Sequence, residues 1–453
     1  MDSWQTPERT VQDKGLKAAV SRLDQETIQN VIQGVLKGEA GARLEAYKKT
    51  CARCGMCAHA CHYCISHDMD PTYSPVGKAK QTIWEMVDKK GRVSPEFIER
   101  AARIAFTECN VCKRCAMYCP FGIDTAYLML LVRRICFLLG VVPQYILDTV
   151  HSHAVTSNQM WVKDDEWIDT LQWQEEELRD EMPSASIPLD RVGADIMYSV
   201  IGPEPKFQPQ LIFQAAAIMN TAGVSWTMPA SQGWDNSDMA MYVGDNALMA
   251  RIKRQHFETA LRLKVKKIVM GECGHAFRSI YDVGNRQLGW KYYPIPVEHA
   301  VQFYWELLKS GKLKVARTFD KPVTIHDPCN IVRGRGLHEM IRGVTHAFCT
   351  DVREMTPNRE HNYCCAAGGG VINCGPVFKD VRIKGNRVKA EQLKATEAEV
   401  VITPCHNCHS GIEDIVKAYG LDMHVSFLGD IIFKCMDRES PAEEGVETEA
   451  ASS

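Results

Sequence analysis

Cys51, Cys54, Cys57 and Cys61 follow the spacing C-x2-C-x2-C-x3-C, and Cys109, Cys112, Cys115 and Cys119 repeat it with Pro120 directly behind. Three closely spaced thiolates can cap three irons of one 4Fe–4S cube, while the fourth cysteine of each run is carried to the other cube. The spacing therefore predicts two cubane clusters. One takes Cys51, Cys54, Cys57 and Cys119, and the other takes Cys109, Cys112, Cys115 and Cys61. Zinc fits poorly, because its sites use two pairs of ligands and not three plus one. The first run departs in one respect: Cys61 is followed by His62 instead of proline, and Cys64 comes three residues later. Cys64 is thus an alternative ligand to Cys61, or a small buried residue. Two clusters in one small domain make an electron wire, which needs a terminus at each end.

A second group of cysteines lies downstream. Cys329 stands in VTIHDPCN, Cys364 and Cys365 in HNYCCAAGGG, and Cys405 and Cys408 in ITPCHNCHS. Adjacent thiols rarely form a disulfide with each other, because the ring strains the peptide between them. Five thiolates exceed the four that a cubane needs, and the surplus can bridge irons or leave one iron open to a substrate sulfur. Gly368, Gly369 and Gly370 would let backbone N–H groups come close to a cluster or substrate. The plain alternative is a buried cysteine pair beside a glycine-rich turn. His326 and His406 are the histidines expected near the group, as proton donors for disulfide chemistry, ahead of His361, His409 and His275. Arg333 and Arg335 could attract a carboxylate or stabilise a developing thiolate, or simply be solvated. Cys136, Cys349, Cys374 and Cys435 have no spacing partner and read as buried or incidental.

HDPC, CCxxGGG and PCxxC behind a two-cluster module resemble the CCG-domain subunits of heterodisulfide reductase, the D-type one (HdrD) in particular. They resemble still more the cytosolic iron–sulfur subunits (DsrK, TmcB and HmcF) of the Dsr, Tmc and Hmc transmembrane redox complexes of sulfate reducers. The likeness spans roughly residues 45–435. It implies that Cys329, Cys364, Cys365, Cys405 and Cys408 hold a non-cubane 4Fe–4S cluster that reduces disulfides. It further implies a membrane cytochrome b as quinol-linked partner, a multihaem cytochrome c module, and a small cysteine-bearing DsrC-like protein as substrate. The chain would then be cytoplasmic, held at the inner membrane by partner subunits. Two other readings stand beside this one. The chain could be an electron conduit without thiol chemistry, or the iron–sulfur subunit of a quinone-linked hydroxyacid dehydrogenase. Ala366 replaces the family's glycine in CCG, so a positive φ at that position would be in question.

These side chains need elements to hold them. A chain of 453 residues calls for two or three domains. Its 45% hydrophobic and 24% charged residues are those of a globular protein. A net charge of −3 offers no argument for nucleic acid. MDSWQTPERTVQDKG shows no secretory signal. AYLMLLVRRICFLLGVVP, broken by Arg133 and Arg134, reads as a core helix and not a membrane span. The expected order is a helical lead-in at 1–45, an α-helical two-cluster ferredoxin-type domain at 46–150 and an acidic linker at 151–190. An α/β domain at 191–436 and a disordered tail at 437–453 follow. Trp161, Trp167 and Trp173 in the linker mark a solvated helix or a docking surface. The α/β part carries a repeat in which KKIVM and EVVIT each lead to a cysteine, Cys273 and Cys405. This predicts two pseudo-equivalent halves, of which only the second keeps a full cysteine set.

Overall fold

The computed structural model describes residues 13–289, 291 and 293–438. The expected tail therefore lies almost wholly outside the described residues, as does the start of the lead-in. Within residues 13–150 every regular element described is a helix. Short polar side chains start them: Asp13 Oδ1 accepts from Leu16 N at 2.9 Å, Asp24 Oδ1 from Thr27 N at 2.8 Å and Asp124 Oδ1 from Tyr127 N at 3.1 Å. Leu16, Ile28 and Ile32 pack into one core with the helices Pro95–Thr107 and Thr125–Leu138. The lead-in is thus continuous with the domain behind it. Thr125–Leu138 is an interior helix of 14 residues. Among the described residues no helix is long and apolar enough to cross a membrane.

The rest is built on two parallel sheets. The first has strands β1 (Ile196–Ser199), β2 (Trp226–Thr227), β3 (Lys267–Met270) and β4 (Val297–His299), in the order β2-β1-β3-β4. The second has β5 (Val323–Ile325), β6 (Val400–Ile402) and β7 (His424–Ser426), in sequence order. All their pairings are parallel, and the strands read as near-continuous apolar runs because helices cover both faces. The carboxyl ends of β3 and β6 meet. His406 N donates to Glu272 O at 2.8 Å, and a Cβ on Gly274 would sit 3.5 Å from Cys405 Sγ. Such strand ends are where open α/β sheets place their sites.

The stretch expected as a linker is instead largely an 18-residue helix, Asp164–Glu181, packed on the helix Gln210–Thr221. Trp167 is wholly buried, stacked on Trp234 at 4.3 Å, and its Nε1 donates to Pro229 O at 2.9 Å. Trp161 and Trp173 stay exposed. The acidic residues hid an apolar stripe, Trp167, Leu171 and Leu178, at helical spacing. A further crossing ties the two parts together: the helix Met239–Val243 leaves the α/β part and packs into the core of the helical one.

Candidate functional site: three groups of cysteines in series

The two N-terminal cysteine loops share one backbone. Arg53 (φ 56°) and Gly55 (φ 81°) flank Cys54, as Val111 (φ 47°) and Lys113 (φ 64°) flank Cys112. Left-handed residues at matching places turn successive amides toward one concave side, a geometry suited to an anionic centre. Val111 is β-branched and pays strain for it, as residues at functional sites do. Cys61, Cys109, Cys112 and Cys115 line one small enclosed hollow. That is the second predicted cubane set, so the donor chemistry and the space fit a cluster there. Burial pushes the Cys57 thiol up to about 11, with the charges of Cys61, Cys51 and Cys119 adding to the rise, and Cys54 is exposed. Cys64 is buried, its Sγ donates to Asp70 O at 3.5 Å, and it lies near enough to feel the charges of Cys61 and Cys57.

The five downstream cysteines come together in one buried cluster with Met355, Val401 and Ile412. Cys364 lies against Cys112, Cys329 and Cys365, Cys365 against Cys408, and Cys408 against Cys405. Each thiol has one hydrogen to share among these neighbours. Cys112 and Cys365 fall well below the usual thiol pKa, chiefly through the neighbouring Cys364, and Cys405 falls chiefly through Cys408. Cys364 and Cys408 rise accordingly. A compact set of five thiols, some poised as thiolates, is a donor set for soft metal.

The loop that carries Cys364 and Cys365 rests on the helical part. Arg133 is 0% exposed. It donates from Nη1 to Gly369 O at 2.5 Å and Tyr242 O at 3.0 Å, from Nε to Ala105 O at 2.9 Å and from Nη2 to Cys109 O at 2.8 Å. Asn110 Nδ2 donates to Gly368 O at 2.9 Å. Gly369 (φ 67°) lies so close that a Cβ would overlap the Asn110 carbonyl, and one on Gly370 (φ 77°) would be 2.7 Å from Ile146 Cδ1. Close packing is thus a use of these glycines in addition to the expected approach of backbone amides. Gly369 and Gly370 seat this loop on the 109–112 loop, and that contact brings Cys364 to Cys112.

Ala366 takes φ 59°, the left-handed conformation in question at the family's glycine. The backbone geometry is kept and the methyl is strained. Ala366→Gly is expected to stabilise the fold by about 0.5 kcal/mol, the relief of strain exceeding glycine's added chain entropy. Urea unfolding of the two forms checks this.

His326 offers a ring nitrogen within 4.8 Å of the Cys365 and Cys408 sulfurs, and burial lowers its pKa. His406 is turned elsewhere, with its ring 5.9 Å from that of Phe427, and burial takes its pKa to about 3. Asp327 of HDPC is structural: both its oxygens accept from Arg342, at 2.7 and 3.1 Å. Three residues escaped the sequence reading. His62 offers a ring nitrogen within 4.8 Å of both Cys112 and Cys364, with its Nδ1 2.9 Å from Gly385 O. Lys78, buried, lies 3.9 Å from Cys61 Sγ and 4.5 Å above the Tyr63 ring. Lys389, fully buried, donates to Asn362 Oδ1 at 2.7 Å, and burial takes its pKa to about 7 although Cys365 and Asp327 oppose the shift. Only the Cys61–His62 step, where proline was expected, marked one of these positions in the sequence.

Comparison with known proteins agrees with this arrangement. Residues 47–123 match the 4Fe-4S dicluster domain and residues 323–413 the cysteine-rich domain called CCG. The chain is 24% identical to the Hdr-like menaquinol oxidoreductase iron-sulfur subunit of Archaeoglobus profundus over 426 residues, 81% of this chain and 75% of that one. It is 26% identical to the D-type subunit of the dihydromethanophenazine:CoB–CoM heterodisulfide reductase of Methanosarcina mazei, over 86% of this chain and 94% of that one. A shorter match, 27% over 230 residues, joins 49% of it to 31% of the EtfAB:quinone oxidoreductase of Syntrophomonas wolfei. With a dicluster domain ahead of a cysteine-rich domain, and with relatives matched along most of its length, the chain is an iron–sulfur oxidoreductase that carries a CCG domain and resembles the D-type subunit of heterodisulfide reductase.

Proposed function

We propose that this chain is the iron–sulfur subunit of a membrane-associated redox complex and that its five-cysteine site reduces a disulfide. The observation that carries the reading is the buried contact of Cys112 with Cys364, which puts the dicluster domain against the cysteine-rich site. The residues proposed to hold clusters are the two cubane sets and Cys329, Cys364, Cys365, Cys405 and Cys408, the last five with a non-cubane cluster. Bound there, iron–sulfur clusters supply one-electron steps. In the overall reaction the S–S bond breaks, two electrons from a quinol-linked donor and two protons are taken up, and two S–H bonds form. The Cys364–Cys365 loop holds the acceptor end against the wire. His326, beside Cys365 and Cys408, is the group placed to hand on a proton; His406 stands further off, and the assignment of a proton role rests on His326 first. The names of the relatives support a menaquinol or quinone link. The resemblance to the sulfate-reducer complexes supports a membrane cytochrome b, a multihaem cytochrome c module and a small DsrC-like thiol protein, with the chain peripheral on the cytoplasmic side. The facing ends of β3 and β6, each leading to a cysteine, support descent of the two sheets from one duplicated unit.

Cys365→Ser in the purified protein tests the proposal. Thiol formation from a disulfide is expected to fall at least about 100-fold, since an essential group is removed, while the dicluster centres still take up electrons from dithionite. Thiol formed at the unaltered rate would take disulfide reduction away from the five-cysteine site and overturn the proposal.

A further inference from the structure

The adjacent thiols of Cys364 and Cys365 turn to different neighbours. The sulfurs of Cys365 and Cys408 and a ring nitrogen of His326 lie within 4.8 Å of one another; so, separately, do the sulfurs of Cys112 and Cys364 and a ring nitrogen of His62. Nitrogen and sulfur donors sit about 2.0–2.3 Å from a first-row metal ion, so two of them on one atom stand at most about 4.6 Å apart. Each trio can therefore close on a single metal atom with little movement. The second trio draws on both parts of the chain, and the proposed function uses only its sulfurs. His62 is buried, and it lines the hollow of Cys61, Cys109, Cys112 and Cys115. Its ring is held as a ligand is. Gly385 O lies 2.9 Å from Nδ1. A carbonyl only accepts, so Nδ1 carries the hydrogen and Nε2 keeps the lone pair. Metal-bound histidines are oriented in this way, by giving the far N–H to a carbonyl or carboxylate. The seat is firm on both sides. A Cβ on Gly385 would overlap the Tyr63 ring, Tyr63 Oη donates to Thr107 O at 2.7 Å, and Val388 N donates to Ser66 Oγ at 3.2 Å.

We infer that His62 is a nitrogen ligand to iron, binding through Nε2 the same iron atom that Cys112 and Cys364 bind. The Nε2 lone pair forms the bond, and no proton is released, because Nδ1 keeps its hydrogen. The dicluster domain and the five-cysteine site are then joined through one metal atom. A neutral donor is added there to a set that is otherwise all thiolate. It comes from the residue that stands where the first cysteine run lacks its proline. The inference rests on the proposed cluster occupancy of these cysteines and goes beyond it in the ligand it adds.

Electron spin-echo envelope modulation of the dithionite-reduced protein tests this. The full chain is purified with its iron, from cells grown with ring-nitrogen-15 histidine and from cells grown without. A nitrogen bonded to iron couples far more strongly than one that only hydrogen-bonds to a cluster sulfur. The expected result is a coupling of the bonded size that changes with the isotope and is lost in His62→Gln. His326→Gln should leave that coupling in place, which separates the two trios. His62→Cys keeps a ligand at the position. It is expected to hold the full iron content and to lower one midpoint potential, since thiolate in place of imidazole does so. With full iron, a coupling only of the hydrogen-bonded size, or a bonded one that survives in His62→Gln, would overturn the His62 assignment and leave the proposed function standing. The bonded coupling in a protein that forms no thiol from a disulfide would sink the proposed function and leave His62 as a ligand. Purified protein without iron or labile sulfide would remove both.

Discussion

Gly369→Ala will separate the two halves of the electron route. The new methyl overlaps the Asn110 carbonyl, and φ 67° is strained for any residue with a Cβ. Left-handed strain and overpacking together cost about 2–4 kcal/mol. The cheapest relief is to lift the 364–370 loop from the 109–112 loop, which takes Cys364 from Cys112. Electron passage from the dicluster domain to the five-cysteine site is expected to slow on the order of tenfold or more, as small misplacements do at reacting centres. Stopped-flow oxidation of the dithionite-reduced protein by a disulfide measures it. Gly368→Ala is the control: its Cβ meets nothing within 4 Å, and it should behave as the parent. Equal behaviour of the two variants would show that the glycines do not seat the loop.

Lys78→Met should produce the largest change in electronic properties. Lys78 is buried beside Cys61. Burial opposes its charge, but Cys61, Cys109 and Glu108 outweigh this and its pKa ends above the usual lysine value, so it stands as a fixed cation. A cation favours the more negative, reduced state of whatever Cys61, Cys109, Cys112 and Cys115 hold. At an effective dielectric constant of about 20 and a separation of about 5–6 Å, one charge is worth about 3 kcal/mol, which is on the order of 100 mV for one electron. EPR-monitored titration of Lys78→Met is expected to lower one midpoint potential by that order and to leave the more distant, exposed Cys54 set nearly unmoved. A uniform shift of all centres, or none, would remove Lys78 as the tuning charge.

Much of this was legible because cysteine spacing is a local property. Residues two or three apart can cap one centre whatever the rest of the chain does, and the two runs marked the dicluster domain from spacing alone. The strand-then-cysteine repeat was legible for a similar reason: an apolar run ending at a thiol marks a sheet edge. The helix Asp164–Glu181 was misread because its charge outweighed its stripe of Trp167, Leu171 and Leu178. The packing use of the glycines was not legible, because it is set by Asn110 and Ile146, more than 200 residues away in sequence. Tertiary packing also hid His62, Lys78 and Lys389. A histidine or lysine in a polar sequence context gives no sign that tertiary packing will bury it among thiols. Ala366 shows the reverse case: the motif departs from its family, yet the backbone keeps the left-handed turn and absorbs the strain.

The seat of the 364–370 loop also couples the two parts of the chain. Arg133 binds carbonyls from the Ala105, Cys109, Tyr242 and Gly369 segments at once, and the Met239–Val243 helix lies inside the helical core. Four segments drawn from both parts thus share one buried guanidinium, and a change that loosens any one of them acts on the other three.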